Sequence, residues 1–404
     1  MNKGGSTFRA AGQPVMLAAA RRTPFGRAHP DKGWLKDIRA DELLAGLIAN
    51  VGAELPDTAA IDDVLIGCVG QHLEQGKNIA RLALLLAELP ESVPGVTFNR
   101  LCASSLEAFN TAAVRIAAGS DELLLAGGVE HMHHVPMTAA IDYHPHLARR
   151  GEFPFMNMGL AAEWLAGRDG ISRADQDAWA LASHQRAVAA TEHGDYAAEI
   201  VPVHTRAHTS VHANAESGGP SRIERDQGPR ANASLEALAE LKPAFDDNGT
   251  VTAGNAAPLS DGASLTMLAS PDACKRLGLK PMAEVLGHAT IAIEPQAMAR
   301  GPVPAVERLL ERCGLVKSDI DRFEINEAFA AQIVSNVREL GLDADRVNPS
   351  GGAIALGHPL GATGTRLITT LAHGLVRDDG EFGIAALCVG HGQGVATLIR
   401  RMQS

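Results

Sequence analysis

Short apolar runs alternate with stretches of helical periodicity through most of the chain, and this alternation limits the possible folds more than any other feature. The runs at 15–20, 64–66 and 123–126 each end in a turn or a short polar or glycine segment, whereas apolar residues between Ser104 and Gly119 recur at helical spacing. Strands that alternate with helices are typical of an α/β fold, in which helical connections join parallel strands. The pattern therefore predicts an α/β core with a parallel sheet.

The same order of elements recurs in the last third of the chain. A strand, a glycine-rich loop, a helix and a second strand are predicted at 323–325, 351–364, 367–375 and 384–387. Leu65 precedes Cys102 by 37 positions, and Ile325 precedes His358 by 33 positions. We expect two related halves, each of which places one reactive residue at the start of a helix.

The segment at about 131–247 interrupts the alternation. Histidines crowd its beginning, and 207–230 is rich in serine, glycine, proline and charged residues. These features predict a helix over 172–193 and a mobile loop after it. We interpret the segment as an insertion into the first half of the core.

Charge and cysteine content argue against several classes of protein. The 36 basic and 47 acidic residues give a formal net charge of -11, so an anionic ligand must be met by a local basic group rather than by a broad nucleic-acid-binding surface. Five cysteines without a CxxC pair indicate neither a disulfide framework nor a zinc knuckle, and they fit a reducing cytoplasm. No apolar run approaches the ~18 residues of a membrane-spanning helix, and residues 1–14 lack the apolar centre of a signal peptide.

Cys102 is the first candidate for chemistry. It lies at the start of the predicted helix, where unpaired backbone N–H groups and the helix dipole favour a thiolate nucleophile. The alternative is a small buried core residue, because isolated cysteines are commonly packed in cores.

His358 lies within Gly351–Gly364, whose glycines let the backbone approach a ligand closely. An imidazole at this position can take a proton from a thiol near neutral pH. The segment does not match a phosphate-binding Walker motif, because no lysine follows its glycines.

A second glycine cluster, Cys388–Gly394, follows a predicted strand. Its glycine spacing does not match a dinucleotide-binding motif, and a cysteine beside glycine amides suits an acid or base next to an oxyanion hole.

Asn326 closes the strand predicted at 323–325. Its amide suits two roles equally, either binding a water or a carbonyl or capping a helix.

The histidines at 131, 133 and 134 raise the question of a metal site. Their spacing lacks the i, i+4 pair of a helical zinc site, and the sequence offers no matching cluster of partner ligands. The sequence therefore predicts no metal.

Taken together, these segments resemble the thiolase family over about Val15 to Arg400. His131-Met132 and His134–Met137 resemble the degradative members of the family. The segments that carry the resemblance are Arg22–Gly26, Leu73–Gly76, Asn78–Arg81, Asn99–Ser105, Gly127–Met132, Val251–Gly254, Asn326–Ala330, Gly351–Gly364 and Cys388–Gly394.

The resemblance implies a duplicated five-layer α/β/α/β/α fold with an inserted loop domain. It places the first half at 14–283, with the loop domain at about 131–247. The second half is expected at 284–404.

The resemblance also implies thiolytic cleavage of 3-ketoacyl-CoA by CoA in fatty-acid β-oxidation, through an acyl-cysteine intermediate. Cys102 is then the nucleophile, His358 takes its proton, and Cys388 protonates the acetyl-CoA enolate and deprotonates the incoming CoA. The N–H groups of Cys102 and Gly390 form one oxyanion hole, and His358 with a water held by Asn326 forms the other. Coenzyme A is a substrate, and no metal or redox cofactor is implied.

Four further residues are expected to contact the substrate. Arg230 matches the loop-domain arginine near the CoA nucleotide, and Met158 and Phe329 are expected in the pantetheine tunnel. Ala257 stands where many relatives have a serine that binds the pantetheine arm, and Asn157 stands where short-chain relatives have a histidine. These departures leave the preferred acyl chain length open.

The implied partners are 3-ketoacyl-CoA, CoA and further protein subunits. The family resemblance suggests a homodimer or a dimer of dimers, and the subgroup adds a multifunctional hydratase/dehydrogenase α subunit. Neither nucleic acid nor an integral membrane segment is expected. The alternatives are a biosynthetic acetoacetyl-CoA thiolase, a decarboxylating ketosynthase, which would want a histidine in place of Cys388, and a non-catalytic acyl-CoA-binding subunit.

Overall fold

The computed structural model describes residues 12–139, 141–151, 153–205 and 221–403. Within these residues the strands are β1 Met16–Arg22, β2 Gly26–Arg27, β3 Asp63–Gly67, β4 Gly95–Phe98, β5 Leu123–His131, β6 Val203–His204, β7 Arg222–Ile223, β8 Ser260–Ala269, β9 Ala283–Ala292, β10 Arg322–Ile325, β11 Phe382–Val389 and β12 Gln393–Arg401. The helices are α1 Ala40–Gly52, α2 Ile79–Leu86, α3 Ser104–Ala117, α4 Pro145–Ala148, α5 Met158–Asp169, α6 Arg173–His193, α7 Leu235–Ala239, α8 Pro271–Leu277, α9 Pro302–Cys313, α10 Ala330–Leu340, α11 Ala353–Leu356 and α12 Leu360–Arg377.

The main sheet is mixed rather than parallel. Its strand order is β10-β11-β12-β9-β1-β8-β5-β3-β4, and β2 pairs with β8. β3 runs parallel to β4 and β5, and β10 runs parallel to β11, but the other pairs are antiparallel. The prediction of parallel strands is therefore wrong for β1, β8, β9 and β12. The pair β11–β12 illustrates the reason, because it is joined by a tight turn at His391 and Gly392, both with positive φ, and not by a helix.

The two halves of the sheet repeat one pairing pattern. In the first half β1 and β8 are antiparallel, β8 and β5 are antiparallel, and β5 and β3 are parallel. In the second half β9 and β12, β12 and β11, and β11 and β10 follow the same sequence. α3 lies between β3 and β5 along the chain, as α12 lies between β10 and β11. The predicted duplication is confirmed.

The helices form three layers around the two halves of the sheet. α1 and α2 cover the outer face of the first half, and α9 and α10 cover the outer face of the second half. α3 and α12 are buried between the halves, where they contact both. This arrangement is the expected five-layer fold. Met16 pairs with Glu284 and Leu17 with Ala283, so the two halves also share one continuous sheet.

α12 begins earlier than the sequence predicts. Gly361 and Gly364 belong to its first turns and not to a loop. A β-carbon on Gly361 would lie 2.4 Å from the Val129 carbonyl oxygen, and one on Gly364 would lie 2.4 Å from the Leu106 amide nitrogen. These glycines are needed because the central helix approaches β5 and α3 too closely for any side chain.

The segment between β5 and β8 contains α4 to α7 and the small hairpin of β6 and β7. The predicted helix over 172–193 is confirmed as α6, which Ser172 caps at its N-terminus and Gly194 at its C-terminus with a φ of +76°. Residues 1–11 and part of the loop predicted at 207–230 lie outside the described residues. The boundaries predicted for the two halves and the inserted domain stay predictions.

Among the described residues, no helix has the length and apolar character needed to cross a membrane.

Candidate active site

Cys102 lies on a tight turn between β4 and α3. The φ of Leu101 is +47°, a left-handed conformation that is uncommon for leucine. The Leu101 amide donates to Asn99 Oδ1 at 2.9 Å, and the Leu101 carbonyl accepts from the Ser104 amide at 2.9 Å. The Arg100 amide donates to Ser104 Oγ at 2.9 Å. The turn is therefore fixed on both sides of the cysteine, immediately before α3.

Burial controls the protonation of the Cys102 sulfur. The residue is 4% exposed, and burial raises its pKa to about 11, although the N–H groups of Gly390 and Cys102 donate to the sulfur and act in the opposite direction. The nearby Glu130 carboxylate also raises this pKa. Cys102 is thus a thiol at neutral pH, and the expectation of a thiolate at the helix start is wrong because desolvation outweighs the helix terminus. Both N–H groups nevertheless converge on this one sulfur.

Cys388 is the second buried thiol of this region. It lies near the end of β11, where burial and then the proximity of Cys102 raise its pKa well above its ordinary value. A β-carbon at Gly390 would lie 3.1 Å from Leu101 Cδ1 and 3.8 Å from Met158 Sδ. Gly390 therefore lies between the Cys102 turn and the start of α5.

His358 is held by contacts at its backbone and at both ring nitrogens. Its amide donates to Ser260 Oγ at 3.2 Å. Nδ1 lies 2.6 Å from Thr363 Oγ1, and Nε2 lies 3.3 Å from Asn326 Nδ2. Burial, and then the charge of Arg366, lower the pKa of His358 to about 3. The imidazole is therefore neutral at neutral pH and keeps one lone pair that can accept a proton.

The first turns of α3 and α12 lie side by side. The Thr365 amide donates to Ser105 Oγ at 3.1 Å, and the glycine at 364 allows close contact with Leu106. Cys102 and His358 directly precede these two helices. The structure thus brings the predicted nucleophile and the predicted base to the same end of the central helical layer.

The Glu130 carboxylate anchors this end of the layer. It accepts hydrogen bonds from the amides of Val69, Gly70 and Gly361 at 3.0, 2.9 and 2.8 Å. Gln75 Nε2 donates to it at 3.0 Å. A carboxylate at the first turn of α12 is also favoured by the helix dipole. The loop after β3, the end of β5 and the start of α12 are therefore held by one side chain.

Asn326 does not cap a helix, since the residue that caps α10 is Phe329. Its neighbour Glu327 is buried and accepts from Trp179 Nε1 at 2.9 Å and from Ser183 Oγ at 2.7 Å. Both donors belong to α6 of the inserted segment. These bonds fix the end of β10 from which the Asn326 amide reaches the imidazole.

The residues that are expected to contact the pantetheine arm lie next to the two buried thiols. Phe329 is 9% exposed and belongs to one apolar cluster with Met158 and Cys388. The Ala257 amide donates to the carbonyl of Ala328 at 3.0 Å, so this alanine lies beside the same cluster. The structure therefore brings these three residues together near the two buried sulfurs.

Asn157, the second departure from the short-chain pattern, has a structural role. Its Oδ1 accepts from the Gly159 amide at 3.0 Å and caps α5. Because α5 begins at Met158, the asparagine helps to place the methionine that faces Gly390.

Arg230 lies on the surface and not in the thiol cluster. Its amide donates to His184 Nδ1 at 3.3 Å. Burial, and then the nearby charge of Arg230, lower the pKa of Arg27. Neither arginine makes an ion pair within the described part of the chain, so the two guanidinium groups form a local basic feature on an acidic protein.

The histidines at the end of β5 form a hydrogen-bonded cluster with Glu74. His134 Nδ1 lies 2.9 Å from Glu74 Oε1, and His134 Nε2 lies 2.7 Å from the Lys36 carbonyl. His131 Nε2 lies 3.2 Å from the Leu35 carbonyl. Ligand atoms of Glu74, His131 and His134 lie within 4.8 Å of one another, a proximity that sequence spacing did not indicate. The bonded nitrogens nevertheless already have protein partners, which accounts for the cluster without a metal.

Three side chains that hold Cys102, His358 and their helices are not indicated by the sequence pattern, namely Glu130, Ser260 and Thr363. Pro359 gave one usable signal, because proline is common at helix starts and so would have placed Thr363 in the first turns of α12. Ser260 and Glu130 gave no local signal, since their partners are distant in the sequence.

Comparisons with known proteins agree with this architecture. The family model described as "Thiolase, N-terminal domain" matches residues 15–272, and "Thiolase, C-terminal domain" matches residues 279–401. The proteins named 3-ketoacyl-CoA thiolase from Cronobacter sakazakii and Salmonella typhimurium are 47% and 46% identical over 396 residues, which is 96% of this chain and 100% of each relative.

Two solved structures share the fold over almost the whole chain. The human mitochondrial 3-ketoacyl-CoA thiolase superposes with a TM-score of 0.88 at 33% identity, and the Bacillus anthracis acetyl-CoA acetyltransferase with a TM-score of 0.85 at 35% identity. Each comparison covers 97% of this chain and 100% of the other. From its family models, its relatives and its duplicated five-layer fold, the chain belongs to the thiolase family.

Proposed function

We propose that the protein is an acyltransferase that cleaves 3-ketoacyl-CoA with CoA, giving acetyl-CoA and a shortened acyl-CoA in fatty-acid β-oxidation. The observation that carries the proposal is the convergence of the Cys102 and Gly390 N–H groups on one buried thiol, with the second buried thiol of Cys388 close to it. The names and 46–47% identity of the bacterial relatives support the substrate class.

The first step forms a bond between the Cys102 sulfur and the 3-keto carbon. His358 takes the thiol proton, and the new oxyanion lies against the N–H groups of Cys102 and Gly390. Because thiol and imidazole are both neutral before substrate binds, the proton leaves the sulfur as the sulfur–carbon bond forms. No thiolate–imidazolium pair has to accumulate in the free enzyme.

The bond between C2 and C3 then breaks, and its electron pair passes to the acetyl-CoA enolate. The acyl group stays on Cys102 as a thioester. Protonated His358, with a water held by Asn326, stabilises the enolate oxygen, and Cys388 gives its proton to C2. The raised pKa of Cys388 suits this role, because the thiol keeps its proton until a strongly basic carbon is present.

Transfer to CoA reverses these roles. The Cys388 thiolate takes the proton of the incoming CoA thiol, and the CoA sulfur attacks the thioester carbonyl. The same pair of N–H groups stabilises the second oxyanion, and Cys102 leaves and recovers its proton from His358. Every group returns to its starting protonation state, and the cycle is redox-neutral with CoA as the second substrate.

The basic feature at Arg230 and Arg27 is proposed to hold the anionic nucleotide end of CoA. Met158, Phe329 and Ala257 are proposed to line the path of the pantetheine arm toward the thiols. An uncharged alanine at 257 offers the arm no side-chain hydrogen bond, so backbone groups and packing must hold it there.

The decisive experiment is mass spectrometry of the intact protein after mixing with a 3-ketoacyl-CoA and no CoA. A stoichiometric acyl adduct that maps to Cys102 and disappears on addition of CoA is the expected result. The matched control is Cys68→Ser, which removes another buried free cysteine and leaves the adduct unchanged. A protein that forms no adduct and no product is not an acyltransferase.

A biosynthetic acetoacetyl-CoA thiolase is the second candidate, and the likeness to the acetyl-CoA acetyltransferase structure supports it. The same site can run cleavage and condensation, so only the substrate range separates them. Cleavage assays over a series of acyl chain lengths therefore decide between the candidates. Activity restricted to acetoacetyl-CoA selects the biosynthetic one.

We also propose a homodimer or dimer of dimers that works with a hydratase/dehydrogenase α subunit in the cytoplasm. A reducing compartment suits a chain in which all five cysteines are free. Purification from native extract, followed by analysis of the co-eluting chains, tests the partner. A lone homo-oligomer removes the α subunit and leaves the proposed reaction unchanged.

A further inference from the structure

The hydroxyl of Thr363 occupies an unusual position between His358 and the backbone of its own helix. Thr363 is fully buried, and its Oγ1 donates to the Pro359 carbonyl at 2.8 Å. The same oxygen lies 2.6 Å from His358 Nδ1. A hydroxyl has a single proton, and a carbonyl can only accept. Because the hydroxyl donates its proton to the Pro359 carbonyl, the threonine oxygen can only accept a hydrogen bond from the imidazole.

The amide on the opposite side of the ring is oriented to match the same protonation state. His358 Nε2 lies 3.3 Å from Asn326 Nδ2, and an amide nitrogen carries only donor hydrogens. With the amide in this orientation, the nitrogen that faces the donor holds a lone pair. Nδ1 carries the ring proton and Nε2 does not.

We propose that Thr363 is a positioning residue that fixes His358 as the Nδ1–H tautomer, so that Nε2 presents a lone pair, and not a ring proton, for transfer of the Cys102 thiol proton. The catalytic consequence of this role rests on the proposed function, whereas the tautomer itself rests on hydrogen-bond geometry. When Nε2 takes the thiol proton, the Nδ1–H stays bonded to the threonine oxygen, which helps to stabilise the imidazolium. A neutral hydroxyl thus performs the orienting role that a carboxylate performs in other nucleophile–histidine pairs.

The surroundings explain why loss of the hydroxyl should matter. Asn326 Oδ1 is buried and has no hydrogen-bond partner within the described part of the chain. Without an acceptor at Nδ1, the ring proton is better placed on Nε2, where a rotated Asn326 amide can accept it. The imidazole then presents a hydrogen, and not a lone pair, toward its surroundings on that side.

The test compares Thr363→Val, Thr363→Ser and Thr369→Val. Thr369 is an internal control, because it is fully buried on the same helix and its Oγ1 donates to the Thr365 carbonyl at 2.8 Å, four residues earlier, without contact to the imidazole. We expect Thr363→Val to lower kcat of thiolysis by about 100-fold with KM nearly unchanged, since general-base assistance is worth at least this much. Thr363→Ser restores kcat, and Thr369→Val retains it.

A second readout does not depend on turnover. Neutron diffraction of the wild-type protein at neutral pH should place deuterium on Nδ1 of His358, and in Thr363→Val it should place deuterium on Nε2. Deuterium on Nε2 of the wild type overturns the proposal, as does wild-type kcat in Thr363→Val or an equal loss in Thr369→Val. A wild type without thiolysis activity but with deuterium on Nδ1 contradicts the proposed function and leaves the tautomer assignment standing.

Discussion

The Gly361 amide donates to the Glu130 carboxylate at 2.8 Å, which ties the first turn of α12 to the end of β5. Glu130→Gln should lower the free energy of unfolding by about 2–4 kcal/mol, because an amide replaces a charged acceptor and turns an NH2 group toward backbone donors. Urea denaturation measures the change. Glu311→Gln, an exposed site on α9, is the control and should change stability by less than about 0.5 kcal/mol. A wild-type midpoint in Glu130→Gln would contradict the anchoring role.

Alkylation of Cys102 should depend steeply on pH. Burial raises the pKa of this thiol to about 11, so little thiolate is present at pH 7. The rate of labelling by iodoacetamide should rise about tenfold per pH unit from pH 7 to 10 and level off near 11, because only the thiolate reacts. Peptide mass spectrometry at each pH, with Cys102→Ser to assign the signal, measures this rate. A plateau reached below pH 8 would mean that a thiolate–imidazolium pair exists in the free enzyme.

His358 should make the protein sensitive to acid. Its pKa is lowered from 6.5 to about 3 by burial and then by Arg366, so between these values the unfolded chain binds a proton that the folded protein does not. Stability from this group is full above pH 6.5 and is lost as the pH falls below it. When the pH falls from 7.5 to 5.5, the free energy of unfolding of His358→Gln should therefore decrease by about 1.4 kcal/mol less than that of the wild type. Urea midpoints at the two pH values test this, and equal losses would show that His358 titrates normally.

Gly128 should tolerate no side chain. A β-carbon there would lie 2.0 Å from the Gly361 carbonyl oxygen, which would force α12 away from β5. We expect Gly128→Ala to cost about 3 kcal/mol or more and to lower kcat, because α12 follows His358 directly. Gly46→Ala is the matched control: this glycine lies within α1 with open space around it, so alanine should stabilise the protein by about 0.5–1 kcal/mol. Thermal denaturation and kcat of both variants decide the matter.

Arg230→Gln should weaken the use of CoA through its nucleotide end. Loss of one charged hydrogen bond to a phosphate predicts a rise in KM for CoA of about 10-fold or more with kcat retained. A pantetheine thiol without the nucleotide should react equally well with wild type and variant. The control is Arg222→Gln, which removes an exposed arginine that faces Glu224. Equal loss with both thiols would place Arg230 elsewhere in the mechanism.

Local patterns predicted several elements of the core but not the central strands β8 and β9. The run at 15–20 corresponds to β1, and the helix predicted from Ser104 corresponds to α3, which is followed by Gly119 with a φ of +75°. An apolar run indicates β1, and helical spacing followed by a glycine indicates α3. The sequence pattern places Gly361 and Gly364 in a loop. It cannot show that both glycines are needed where β5 and α3 pack closely against α12, because such contacts join residues distant in the sequence.

The site was predictable in its reactive residues and not in their protonation. The glycine-rich segments and the family resemblance pointed to Cys102, Cys388 and His358, and the structure groups them at one end of the central layer. Their pKa shifts depend on burial, which is a property of the folded molecule and overrode the helix-terminus argument for Cys102. Thr363 was missed for a related reason, since its importance lies in which atom accepts which hydrogen.

The pairing of Met16 with Glu284 and of Leu17 with Ala283 has a consequence for how the enzyme is made. Each of these strands lies at the start of one of the family's two domains, so the contact joins residues far apart along the chain, requires closure of a very long loop and belongs to a topology that folds slowly. α3 is synthesised early and α12 near the end of translation, and each lacks the other's surface until then. A nascent chain therefore carries Cys102 as an ordinary exposed thiol through most of its synthesis, and the groups proposed to work with it, His358, Cys388 and Gly390, are all supplied by the last quarter of the sequence.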